Sequence, residues 1–94
     1  MSTMADAYRV PVAAHDHSGP VNLYASAHVL LNAPNAYMME TTRVFHETYY
    51  DELVEGEPIL RDGAMHRPQG PGLGIRLRSS VFERSDTVVQ RSPA

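Results

Sequence analysis

The stretch from 10 to 40 constrains this chain more than any other, because it reads as strand, polar elbow, amphipathic helix, turn and strand in direct succession. Two strands joined by a helical crossover run parallel, since a right-handed connection returns the chain to the same end of the sheet. Their carboxyl ends then lie side by side on one face. Each strand closes on an ionisable residue, His15 after the first and Glu40 after the second. That face is where α/β proteins place chemistry, so His15 and Glu40 form a candidate acid/base pair, distant in sequence and adjacent in space.

The local signals behind this reading are specific. Gly19 and Pro20 form the end of the elbow His15-Asp16-His17-Ser18-Gly19-Pro20, and Pro suits the first helical position because its missing N–H has no partner there. Leu23, Tyr24, Ala27, Leu30 and Leu31 recur at three- and four-residue spacing, giving one apolar stripe. Pro34 then pushes Ala33 out of the helical region and ends the helix. Residues 36–39 are too short for a helix and uniformly apolar, which predicts a strand buried on both faces. In the first strand, over 9–14, Pro11 has no N–H for a ladder and is expected at the strand's start or at an irregularity.

On either side the pattern is weaker. Residues 3–8 have Met4, Ala5 and Tyr8 at helical spacing, and so short a helix needs a neighbour and implies chain upstream. Residues 43–54 are helical in period, with Val44, Phe45, Tyr49, Tyr50 and Leu53 inward and Gly56 where a helix commonly stops. Asp62-Gly63 between two short extended runs predicts a tight hairpin. A segment rich in Gly and Pro follows, then a strand at 75–78. From 79 onward the polar composition predicts a frayed, flexible tail apart from Val81 and Phe82. The resulting division is 1–55, two β/α units; 56–78, a return segment; and 79–94, the tail.

Composition bounds the function. At 94 residues the chain falls far below the roughly 250 of a complete α/β barrel. Hydrophobic residues at 43% and charged residues at 20% are ordinary for a globular protein, and a net charge of −3 offers no basic surface for nucleic acid. Without cysteine there is neither a disulfide framework nor a thiolate metal site. The apolar runs are too short to span a bilayer, and the amino terminus has no signal-peptide pattern, so a soluble cytoplasmic protein is expected.

The ordered motifs Val12-Ala13-Ala14-His15-Asp16 with Gly19-Pro20, Ala25-Ser26-Ala27-His28, Ala33-Pro34-Asn35-Ala36, Met39-Glu40, Asp62-Gly63 and Gly70-Pro71-Gly72-Leu73-Gly74 resemble the carboxyl-terminal part of the mandelate racemase branch of the enolase superfamily. The resemblance implies an α/β fold: the seventh and eighth strands of a modified (β/α)8 TIM barrel with their helices, then a β-rich segment that packs on a capping domain absent from this chain. Members abstract a proton next to a carboxylate and hold the enediolate on Mg2+, bound by acidic residues of the third, fourth and fifth strands, which lie outside this sequence. By resemblance His15 is the acid/base group, with an Asp partner upstream of Met1, and Glu40 hydrogen-bonds the substrate carboxylate or enediolate oxygen. His17 and Asp16, in the loop beyond, are the candidate substrate contacts. The implied substrate is an acid sugar or hydroxy acid, and the implied activity is sugar-acid dehydration, with racemisation as the alternative. The parent is expected to be a homo-oligomer; this chain alone should be inactive and bind no Mg2+.

Residue chemistry agrees with the assignment. An imidazole, with an ordinary pKa of about 6.5, both takes and returns a proton near neutral pH, and Glu40 donates to an anionic oxygen only when protonated. Two other readings stand beside it. His15-Asp16-His17 contains the His-x-His pattern of amidohydrolase metal sites, but the additional His and Asp ligands such a site needs are not recognisable downstream. An independent, non-catalytic α/β module that binds a partner through its open strand edges is the reading from another class. His28, His46 and His66 are read as surface or packing residues, and Tyr49-Tyr50 as core.

Overall fold

The computed structural model describes residues 1–93. Helix α1 (Ser2–Ala7) precedes β1 (Val12–Asp16), α2 (Pro20–Asn32) and β2 (Ala36–Thr41). Strands β1 and β2 pair in parallel, with His15 opposite Glu40 and Asp16 opposite Thr41. Pro11 lies immediately before β1, and the register slips between Val12 and Ala13, so the expected irregularity sits at the strand's start. Pro20 occupies the first helical turn of α2, as its fixed φ favours. The α2 stripe buries Leu23, Tyr24, Ala27 and Leu30, while Leu31, predicted to join it, stays half exposed.

The expectation of a β2 buried on both faces is corrected. Tyr37 is 72% exposed and Met38 51%, because among the described residues β2 has only β1 as a hydrogen-bonded neighbour. The single helix expected over 43–54 is also corrected. It divides into α3 (Arg43–Thr48) and α4 (Tyr50–Leu53), with Tyr49 between them. The Thr48 hydroxyl donates back to the Val44 carbonyl, a competing bond that bends helices, and α4 turns the Tyr50 ring into the core.

Beyond α4 the chain forms β3 (Val54–Gly56), the hairpin β4 (Leu60–Arg61) and β5 (Ala64–Met65), then β6 (Ile75–Leu77). The hairpin turns at Asp62 and Gly63, with φ of 53° and 73°, the pair of positive values that an Asp-Gly turn of this type requires. Gly56 does not stop a helix; it ends β3 opposite Ile75, where an added Cβ would lie 2.7 Å from the Gly74 carbonyl oxygen. The predicted frayed tail contains a further helical turn, α5 (Ser80–Glu83), followed by Arg84 bound to Asp86.

One hydrophobic cluster joins these parts: Leu23, Tyr24 and Ala27 of α2, Tyr50 of α4 and Ile59 before the hairpin. Met39 and Ile75 pack against it from β2 and β6. The cluster lies on the helix side of the β1–β2 pair, leaving the carboxyl ends of both strands to present their other face outward.

Candidate active site

Side chains alternate along an extended strand, so His15 and Asp16 project to opposite sides, as do Glu40 and Thr41. The result is two adjacent rungs of different character. On the outward face His15 Nδ1 lies 2.8 Å from Glu40 Oε2, and their side chains are 65% and 68% exposed. Both residues predicted to meet across the strand ends do so. A bond at Nδ1 leaves Nε2 as the nitrogen directed to other partners, and a carboxylate at Nδ1 selects the tautomer whose free lone pair is on Nε2. That is the arrangement a general base needs.

His17 extends this face. Its Nδ1 is 3.0 Å from Thr42 Oγ1, its ring stacks on that of His15 with centroids 6.1 Å apart, and it leans on Phe45 at 5.3 Å. The two imidazoles thus follow one another away from the strand ends.

Asp16 departs from the substrate-contact expectation. Its side chain is 1% exposed and faces the helices. Asn22 Nδ2 and the Gly19 N–H donate to Oδ1 at 3.1 and 3.4 Å; Thr41 Oγ1 and Tyr50 Oη donate to Oδ2 at 3.1 and 2.9 Å. Burial, the largest single influence, pushes the carboxyl pKa up, but the hydrogen bonds from Asn22, Tyr50, Gly19 and Thr41 together outweigh it and hold the group below the usual carboxylate range. Burial and the bond to the Asp16 anion raise Tyr50 well above an ordinary phenol. Sequence reading did not single out Asn22, Thr41 or Tyr50 for this site; the signal available was strand alternation, which sends the residue after His15 inward.

The other histidines lie elsewhere. His28 Nε2 is 3.1 Å from the Leu73 carbonyl oxygen and ties α2 to the Gly-rich loop. Among the described residues, no three His, Cys, Asp or Glu side chains come together in a way that could hold a metal ion. Asp16 is consumed by internal donors and Glu40 is engaged by His15, so the residues of this chain do not fit the Mg2+ that the resemblance implies. No helix among the described residues is long and apolar enough to cross a membrane.

The enolase C-terminal domain-like family matches residues 1–81. This chain belongs to that family. Among its relatives, a D-xylonate dehydratase of Haloferax volcanii is 35% identical over 83 residues, covering 88% of this chain and 20% of the relative. A D-galactonate dehydratase of Ralstonia pickettii is 33% identical over 91 residues, covering 90% of this chain and 24% of the relative. Among solved structures, an enolase of the mandelate racemase subgroup from Agrobacterium tumefaciens superposes with a TM-score of 0.77 at 43% identity, over 87% of this chain and 22% of that one. The chain therefore spans about a quarter or less of the length of these relatives. In this chain the parallel β1–α2–β2 unit presents His15 and Glu40 at adjoining strand ends.

Proposed function

We propose that this chain supplies the acid/base portion of the active site of a sugar-acid dehydratase. The observation that carries the reading is the 2.8 Å bond between His15 Nδ1 and Glu40 Oε2 at the adjoining carboxyl ends of two parallel strands. The names of the relatives favour dehydration over racemisation.

In this reading His15 Nε2 removes the proton from the carbon next to the substrate carboxylate while Glu40, rather than the upstream Asp and in place of the substrate-oxygen contact that the resemblance implies, holds the ring in orientation through Nδ1. The imidazolium then returns a proton to the hydroxyl leaving the adjacent carbon. Water departs, and the enol ketonises to a 2-keto-3-deoxy acid. His17, farther out on the same face, meets a substrate hydroxyl. Any Mg2+ that the full-length enzyme uses is bound by residues outside this chain.

The test is an assay of the full-length enzyme against a panel of aldonic acids that includes D-xylonate and D-galactonate. Formation of a 2-keto-3-deoxy product supports the reading. Inversion at the α-carbon without loss of water would make the enzyme a racemase, and absence of both, in a folded protein with metal supplied, would overturn the reading.

A further inference from the structure

The buried rung behind the acid/base pair does more than fill space. Asp16 follows His15 and Thr41 follows Glu40, and these two inward-facing side chains are bonded through Oδ2 at 3.1 Å. The same carboxylate is anchored to α2 by Asn22 and to α4 by Tyr50. Asn22 Nδ2 also lies 3.1 Å from the backbone carbonyl oxygen of His15, so the helix fixes the main chain of the histidine itself.

The need for such a clamp is visible in the ladder. Pairing slips by one residue between Val12 and Ala13, and a further slip at the carboxyl end would move Glu40 to the wrong face, because side chains alternate with a period of two. Among the described residues β1 and β2 pair only with each other, so side-chain bonds across the two strands bear on their register.

We infer that Asp16 is a positioning residue: by bonding Thr41 while Asn22 and Tyr50 hold it in place, it locks β1 against β2 in the register that sets His15 opposite Glu40. This inference rests on the acid/base reading of His15 and Glu40, but its test requires no catalysis.

Two substitutions separate positioning from general stability. Thr41→Val and Tyr50→Phe each remove one hydroxyl donor from the same oxygen, Oδ2, but only Thr41 stands on β2 behind Glu40. Nitrogen NMR of the His15 ring in the full 94-residue chain reports the tautomer. The intact protein should hold the proton on Nδ1, against the preference of a free imidazole for Nε2. Thr41→Val should release His15 toward the Nε2–H form, Tyr50→Phe should leave it on Nδ1, and Asp16→Asn, which keeps the shape and can still bridge Thr41, should fall between. An equal response to Thr41→Val and Tyr50→Phe, or no response to either, overturns the positioning role. A separate control, Glu40→Ala, removes the acceptor at Nδ1 and distinguishes the failure of the underlying reading: if it leaves the His15 resonances unmoved, the two side chains are not paired and the acid/base assignment falls with them.

Discussion

Two neighbouring rungs of one short parallel ladder differ in almost every physical respect. His15 and Glu40 are bonded in the open, where solvent screens the interaction and a pair contributes little to stability. Asp16 and Thr41, one residue further along each strand, are bonded inside, with Asp16 as the buried charged side chain of the fold. The side chains of the exposed rung are free to meet a substrate on the proposed reading, because they are not committed to the core. The buried rung is committed to hydrogen bonds whose loss would leave polar groups unsatisfied. One backbone, through alternation alone, thus separates a solvent-facing ionisable pair from a buried hydrogen-bonded one.

The comparison can be broken most forcefully on the outer rung. His15→Asn in the full-length enzyme should lower kcat by about 10² to 10⁴, the usual worth of acid/base catalysis, with little change in KM because the lost interaction acts in the transition state. Urea unfolding of the same variant should shift by less than about 0.5 kcal/mol, as for most exposed sites. His17→Asn should reduce kcat far less and raise KM.

The inner rung should show the reverse order. Asp16→Ala strands the Asn22, Thr41 and Tyr50 donors and is expected to cost about 2–4 kcal/mol of folding stability, read as a lower urea midpoint. A smaller effect follows from pH. Because the Asp16 pKa is depressed on folding, its stabilising contribution is complete above the unfolded carboxylate value of about 3.9 and is lost as pH falls through the lower folded value. Asp16→Asn should flatten that acid-side decline. On this inner rung a milder change, Tyr50→Phe, removes one of the donors to Oδ2 and is expected to cost about 1–2 kcal/mol, with the Thr41 bond retained.

How much of this was legible in the sequence depends on whether the cause was local. The turn at Asp62-Gly63, the start of α2 at Pro20 and the meeting of His15 with Glu40 follow from residues that act through their own backbone preferences or through a single crossover, and all appear as expected. The division of the 43–54 helix at Tyr49 and the pairing of Val54–Gly56 with Ile75–Leu77 depend on contacts between distant segments, which periodicity does not encode. The exposure of β2 is a matter of tertiary contacts: its apolar run predicts packing on both faces, and among the described residues it is packed on one. Asp16 is the instructive case: alternation already sends it to the face opposite His15, but its expected role as a substrate contact fails because β1 runs on to include it and the helices bury it.

The central claim is that His15 transfers the substrate proton, and exchange of the substrate α-proton with deuterated solvent measures that step alone. In the full-length enzyme incubated with a turned-over aldonic acid, exchange should vanish in His15→Asn and persist in His17→Asn. Persistence in the first with loss in the second would place proton transfer on the other imidazole and contradict the account.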